Sequence, residues 1–453
     1  MFKEKPLDQT ALIQELLQRI ITLEKELARL QSELEAYKHP KNSQNSSIPP
    51  SKDENRIQRN KSLRKKSENP VGGQKGHEGN SLLMTDQPDI IERHTPSYCH
   101  QCGKDLSNIE EEFIERRQII DIPVIKSVFT EHQIYQKRCS CGHITRSLFP
   151  SSAKHTIQYG TNTEALISYL HSGQYIPFNR IEEMMNDIFG LSISEGGIHC
   201  LLKRFTKKAS PIYEEIKQRI SSSSIVGTDE TGSKVNGEKS WFWTWQNEQL
   251  TLIVHSFNRG IDTIKKVFAE GLPNSILNHD RWASHFHCKS KGHQICTSHL
   301  QRDLVYIEEL YNNQWAIEMM ELIRDALSLK KEMNTEDYQK PNEKRKRIEE
   351  RLSNLLAQNI DPSHKKALAF QKNLNKHRET ILPFLYYPKV PPDNNGSERS
   401  IRNAKVKLKV SGQFKSKKGA ETYAINRSII DTIKKSNQSV LVGLNFIANF
   451  NSD

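Results

Sequence analysis

Long apolar runs are missing from this sequence. None approaches the ~20 residues that a membrane-spanning helix needs, and the mean hydropathy is -0.70, so no membrane partner is expected. The opening residues, MFKEKPLDQT, carry no apolar signal region, and the expected location is the cytoplasm. Cysteine is scarce and odd in number, seven in 453 residues, with four of the seven in close pairs. That disfavours the disulfide framework of a small secreted domain and fits a reducing compartment with a metal site. Acidic residues are outnumbered, 54 Asp and Glu against 66 Lys and Arg, which leaves a formal net charge of +12 and a pI near 9.2. A polyanionic partner follows, most simply nucleic acid. The length exceeds what one compact core usually holds, so several domains are expected.

What is present begins with a heptad repeat. Ile13, Ile20, Leu27 and Leu34 take the a positions, and Leu16, Leu23, Leu30 and Tyr37 the d positions. Ile at a with Leu at d favours a parallel dimer, so residues 1–38 are expected to form a homodimeric coiled coil. The following stretch, residues 39–95, is rich in Asn, Ser, Pro, Gly and Lys, and buries too little apolar surface to offset its ordering entropy. Its string RNKSLRKK either lies along phosphates or stays solvated. Cys99-x-x-Cys102 and Cys139-x-Cys141 follow. Short turns of this kind aim two thiolates at one point, which suits structural Zn²⁺ over residues 96–150. His100 and His143 stand beside them as alternative ligands. Between the pairs, RRQIIDIPV and FTEHQIYQKR read as strands.

Residues 151–215 are expected to be helical and helix-turn-helix-like. Ile181, Met184, Met185 and Ile188 line one face of a first helix, and Gly190 allows a turn. Ser194 is placed to cap a second helix that carries Ile198, Leu201, Leu202 and Phe205 inward. After Ser221 the period changes. SIVGTDETG, SWFWTWQ and LTLIVHSF read as strands, with an Asn-Gly hairpin turn between the first two; a helix and a fourth strand, NSILNHD, follow. Asp229 ends the first strand and Asp280 the fourth. Adjacent strands are about 4.8 Å apart. The two carboxylates therefore either share a metal, if those strands are neighbours, or face solvent at strand ends.

Further on, PPDNNGSERSIRNAKVKLKV starts a basic helix with Glu398 in its first turn, where Asp393 or Asn394 caps it. Glu398 either pairs with Arg402 at i,i+4, worth about 0.3–0.5 kcal/mol, or supplies a third metal-binding carboxylate. Cys296 and His299, spaced i,i+3 on an expected helix, face one way. With His285, His287, Cys288 and His293 nearby they either form a second zinc site or serve packing and hydrogen bonding near the acids.

Taken together, these motifs resemble a known family. Asp229, Asp280 and Glu398 look like the DDE triad of cut-and-paste transposases, which have a ribonuclease-H-like core. The wider pattern is similar to the large catalytic subunit of the insertion-sequence-sixty-six family of bacterial transposases. The resemblance covers nearly the whole chain: KNSQNSSIPPSKD after the coiled coil, the paired cysteines, GTDETGSKVNGEKSWFW, NHDRWASHF with HQICTSHLQRDL, and DNNGSERSIRNAKVKLKVSGQF, in that order. The pair Cys139-x-Cys141 is tighter than the family's second pair, which leaves the fourth zinc ligand open.

The resemblance implies an α/β multidomain protein. A ribonuclease-H-like mixed sheet over residues 216–303 and 391–453 is split by a helical insertion over 304–390, and is preceded by the coiled coil, zinc module and helical region. It implies an enzyme that cleaves the ends of an insertion element and transfers them into target DNA, with Mg²⁺ (or Mn²⁺) held by Asp229, Asp280 and Glu398. Two ions about 3.5–4 Å apart would activate water and then a 3′-hydroxyl without a covalent protein–DNA intermediate. Arg399, Arg402, Lys405, Lys407, Lys409, Lys415, Lys417 and Lys418 are the expected phosphate contacts, with Cys296 and His299 as neighbours of the site. Expected partners are double-stranded DNA, a second copy of the chain and small accessory proteins of the same element. The competing reading is a non-enzymatic, dimeric DNA-binding regulator of the zinc and helix-turn-helix type. Strand-transfer products separate the two.

Overall fold

The heptad stretch forms one helix, α1 (Gln9–Lys38), and the side chains of its seam, from Ile13 to Tyr37, are exposed. The computed structural model describes residues 9–42, 45–46, 53–54 and 83–450, so the string RNKSLRKK lies outside the described residues. By its internal contacts the chain divides into two units, residues 57–126 and residues 1–56 with 127–453. In the first, the described backbone has no named strand, and the expected strand RRQIIDIPV is extended without a ladder. Ile119, Ile120, Ile122 and Val124 are exposed. An alternating pattern fixes a strand only against a paired edge and a buried face, and Pro123 has no N–H to offer one. FTEHQIYQKR, in the second unit, keeps only its end: β1 (Gln136–Arg138) pairs antiparallel with β2 (Ile144–Arg146).

The helical region contains α2 (Thr161–Ser168), α3 (Phe178–Phe189) and α4 (Glu195–Ser221). Gly190 takes the left-handed conformation that ends α3, φ +60°, as the sequence required. Ser194 caps α4 by accepting the Gly197 N–H at 3.2 Å. Ile181, Met185, Ile198, Leu201 and Leu202 pack into one cluster, whereas Ile188 is exposed. Helix α4 runs past the expected boundary at residue 215. Its second half carries Ile216 and Ile220 into the core beneath the sheet, with Val226, Trp243 and Trp245.

The sheet has five strands: β3 (Ile225–Val235), β4 (Glu238–Gln246), β5 (Thr251–Ser256), β6 (Leu272–His279) and β7 (Ser290–Ile295). The order is β5-β4-β3-β6-β7. The first three are antiparallel neighbours, and β6 and β7 add in parallel. This mixed arrangement is compatible with a ribonuclease-H-like core. Asn236 and Gly237, both at positive φ, make the β3–β4 turn that the Asn-Gly pair favours. Helix α5 (Ile261–Val267) leads into β6, and the single turn α6 (Ala283–Phe286) leads into β7. Strand β4 is apolar on both faces because both are covered. Trp243 and Trp245 join the α4 core, while Phe242 packs with Ile253, Ile401 and Tyr423.

Strand β7 runs into α7 (Thr297–Tyr311). Then α8 (Gln314–Glu332), α9 (Glu343–Ala357) and α10 (Lys365–Lys376) gather a core around Trp315, Met319, Leu322, Leu352 and Leu355 that runs on into Ile276 and Ile295 of the sheet. The chain returns to the sheet through α11 (Asn395–Ser411), α12 (Lys417–Lys435) and α13 (Val440–Asn449).

Candidate active site

The register of β3 on β6 brings the first two acids together. Gly227 lies opposite Asn278 in this parallel pair. Asp229 and Asp280 follow two steps further along each chain, past the last paired residues, and the Asp280 charge acts on Asp229; β3 runs on to Val235, so Asp229 lies within its strand and not at the expected end. The expectation that the first and fourth strands are neighbours is met. Asp280 turns the chain out of β6 by accepting the Trp282 N–H at 2.9 Å through Oδ1.

Glu398 arrives from more than a hundred residues away because the start of α11 is bonded directly to the sheet. Asn278 Nδ2 donates to the carbonyls of Pro391 and Asp393, both at 2.8 Å. Asn394 Nδ2 donates to the Thr228 carbonyl at 2.7 Å, one residue before Asp229. The Asn394 N–H donates to Cys296 Sγ at 3.2 Å. The approach is close enough to require glycine: a Cβ on Gly227 would stand 2.5 Å from Ser397 Oγ, and one on Gly396 would stand 2.6 Å from Gln246 Nε2. Asn394 occupies the cap position of α11, but its side chain serves β3 and not the helix.

The three carboxylates feel one another. The Asp229 carboxyl is held well above the usual range, first by desolvation, then by the charge of Asp280, with Glu230 and Glu398 adding to it. Glu398 does not lean on Arg402, which is exposed. The basic side chains beside it are His299, with Nδ1 at 3.8 Å, and Arg302, with Nη2 at 3.9 Å, both measured to Oε1. Those separations are too long for hydrogen bonds, and Glu398 Oε1 and His299 Nδ1 are buried atoms without a hydrogen-bond partner. Burial, with the Arg302 charge beside it, lowers His299 to about 4, so its ring is neutral near pH 7. A cleft of about 180 Å³ lined by Asp280, Arg281, Trp282 and His299 opens beside the acids. Carboxylates that repel one another, with an unpartnered buried oxygen among them, fit a divalent cation. Hard oxygen donors select Mg²⁺ or Mn²⁺.

The sequence reading missed the roles of Glu230 and Arg259, and left His285 and His293 open between zinc ligands and hydrogen-bonding residues near the acids. Glu230 is buried next to Asp229, and its Oε1 accepts from Arg259 Nε at 3.0 Å and Nη2 at 2.8 Å. His285 Nε2 lies 3.0 Å from Glu230 Oε2 and 3.7 Å from Asp280 Oδ1, so it links the second acid to this buried pair. His279 Nε2 meets His293 Nδ1 at 3.1 Å. The signal for Glu230 was present, since a carboxylate buried in a strand needs cationic partners, but nothing in one sequence names Arg259 and His285 as those partners. Cys296 also differs from expectation. It sits at the β7–α7 junction, at the cap of α7 and not within it.

The expected phosphate contacts divide. Arg399, Arg402, Lys409, Lys415, Lys417 and Lys418 are exposed, and Lys405 is half-buried. Lys407 is buried, with Nζ 3.5 Å from the Tyr175 carbonyl, and burial lowers it to about 8. It is corrected to a structural lysine. Positions 398, 402, 405 and 409 recur on one helical face, so the exposed cations of α11 share a face with Glu398.

The cysteine pairs each close a tight turn. Cys99 donates its N–H to the Lys104 carbonyl at 2.9 Å, and Gly103 at φ +72° completes the turn. Cys139 donates to the His143 carbonyl at 2.8 Å, with Gly142 at φ +91°. The backbone N–H of Cys102 lowers the Cys99 thiol, and that of Cys141 lowers Cys139. Both shifts favour the thiolate that zinc requires.

Comparison with known families now has a geometry to meet. The model of the transposase IS66 family matches residues 156–422, which contain all three acids. The zinc-finger binding domain of transposase IS66 matches residues 96–142, which contain both cysteine turns and support structural zinc. A family of unknown function matches residues 3–82. No curated protein matches the chain.

Proposed function

The chain belongs to the transposase IS66 family, and from that premise we propose that it cuts the ends of a DNA element and joins them to target DNA, using Asp229, Asp280 and Glu398 as the metal-binding acids. The observation that supports the reading is that β3, the end of β6 and the head of α11 bring three carboxylates into electrostatic reach of one another: burial first, then the Asp280 charge, with Glu398 adding to it, hold the Asp229 carboxyl well above its usual range. A pair of Mg²⁺ ions, when bound, supplies an activated nucleophile and stabilises the leaving oxygen.

The protein's own part is placement. Asp229, Asp280 and Glu398 would hold the ions, with Asp229 the acid on which the charges of the other two act. Arg259 and His285 keep Glu230 occupied, so that it leaves the metal ligands free. Arg399, Arg402, Lys405 and Lys409 carry the backbone of the DNA past Glu398, with Lys415, Lys417 and Lys418 extending the track. The α3–α4 pair and the cysteine turns, as ligands of the structural zinc, serve to engage the element ends. The α1 seam pairs two copies. Nucleophile and leaving oxygen are both held by the substrate and the ions, so no side chain needs to become covalently attached.

The test is cleavage of an element-end duplex. Glu398→Gln is expected to bind the duplex as the wild type does and to cut it at least about 100-fold more slowly, roughly 2.7 kcal/mol of barrier. Cutting at the wild-type rate by that variant removes Glu398 from the metal set.

A further inference from the structure

The acids do not use all of the ligating atoms gathered at the head of α11. Cys296 Sγ, a His299 ring nitrogen and a Glu398 carboxylate oxygen all lie within 4.8 Å of one another. Cys296 is 1% exposed, and both His299 Nδ1 and Glu398 Oε1 are buried without a hydrogen-bond partner. A buried polar atom left unsatisfied costs about 1–3 kcal/mol. Two of them facing each other across 3.8 Å, with a thiol closing the triangle, are explained together if one ion satisfies all three.

We propose that Cys296, His299 and Glu398 form a site for a thiophilic divalent cation, of the class of Zn²⁺ or Co²⁺, that shares Glu398 with the Mg²⁺ set. The donor set decides the class. One sulfur, one imidazole nitrogen and one carboxylate oxygen are the ligands of a tetrahedral transition-metal site and not of Mg²⁺. Three protein ligands leave the fourth position to water or a substrate oxygen. The anchoring is built in: the Asn394 N–H points at the sulfur from the cap of α11. The thiol proton leaves to solvent as the metal–sulfur bond forms.

Other ligating groups nearby are already engaged. His285 is held by Glu230, His279 and His293 by each other, and Cys288 packs in the core beneath the sheet.

Sharing Glu398 has a functional consequence, which alone rests on the reading of Glu398 as a Mg²⁺ ligand. A thiophilic cation seated here draws the carboxylate away from the catalytic pair, so micromolar Zn²⁺ inhibits Mg²⁺-supported cutting. The binding itself requires no activity.

The experiment uses the full chain with its structural zinc in place, titrated with Co²⁺ and followed by the thiolate-to-cobalt charge-transfer band and by metal analysis. The wild type is expected to take up one further Co²⁺ per chain while keeping its zinc. Cys296→Ser loses the band, and His299→Gln weakens uptake at least about tenfold, the least a metal-site partner is worth. If Cys296→Ser does not fold, as judged by thermal melting, His299→Gln decides alone. No further Co²⁺ in the wild type, or a band and affinity unchanged in the variants, overturns the site. In parallel, Zn²⁺ added to Mg²⁺-supported cutting inhibits the wild type and not His299→Gln. Cutting with no Co²⁺ uptake sinks this proposal and leaves the transposase reading intact; Co²⁺ uptake without Mg²⁺-dependent cutting does the reverse.

Discussion

At the scale of single residues, α11 separates lysines that its sequence sets at alternate positions. Lys405 and Lys409 share the face of Glu398, whereas Lys407 points inward to the Tyr175 carbonyl. Each phosphate neutralised adds about 0.9 to the log–log salt slope of duplex binding. Arg402→Gln and Lys409→Gln are therefore expected to flatten that slope by about 0.9 each in anisotropy titrations across a salt series. Lys407→Gln should leave the slope alone and lower the melting temperature, because it removes a buried partner. An unchanged slope for both exposed positions takes α11 off the DNA. The distinction is legible in the residue spacing. Positions 398, 402, 405 and 409 follow the helical period, and 407 falls on the opposite side. Treating the run KVKLKV by composition hides it. Arg259 and His285 are not legible in this way. They reach Glu230 from α5's leading loop and from α6, and only the fold sets that distance.

At the scale of elements, the critical joint is α11 against β3. Gly227→Ala puts a methyl 2.5 Å from Ser397 Oγ, and overpacking of this kind costs about 1–3 kcal/mol. Denaturant unfolding should show that loss, and Ser397→Ala in the same background should restore part of it, because the clashing oxygen is gone. A Gly227→Ala variant as stable as the wild type contradicts the close contact. Two strands away, His255 of β5 is buried between Phe242 and Phe257, with no hydrogen-bond partner on either ring nitrogen. Burial lowers it from 6.5 to about 4. Its contribution to stability is thus present above about pH 6.5 and lost as pH falls toward 4. Between pH 8 and pH 5 the loss is on the order of 2 kcal/mol. His255→Leu should lack it, so the stability gap between variant and wild type widens in acid; a gap that is flat with pH refutes the assignment. The strands carrying Asp229 and Asp280 and their hairpin turn were readable from alternation and from Asn-Gly. Strand β7 was not, because SKGHQI offers little apolar pattern and is held by its parallel neighbour β6. The reverse error fell on RRQIIDIPV, which has a strand's composition and exposed side chains.

At the scale of the whole molecule, α1 carries an exposed apolar stripe of regular period. The a and d side chains of α1, among them Ile20, Leu23, Leu27 and Leu30, are exposed along the helix, although they are the most regular apolar feature of the sequence. A stripe of that period is satisfied by a second helix of the same kind. A transposase that joins two element ends needs two copies at one place, and a dimer formed through α1 supplies them without engaging the sheet or its acids. Leu23→Asp with Leu27→Asp tests this. Burying a Leu side chain contributes about 1.5–3 kcal/mol, so losing two weakens self-association at least about 100-fold. Sedimentation is expected to report a dimer for the wild type and a monomer for the variant, and the melting of the catalytic unit should stay unchanged, since these side chains are exposed. Cutting of a single end should survive in the variant while joined products of paired ends fall away. A variant that remains dimeric moves the interface elsewhere. A monomer that joins paired ends as well as the wild type shows that two ends meet by some route other than α1.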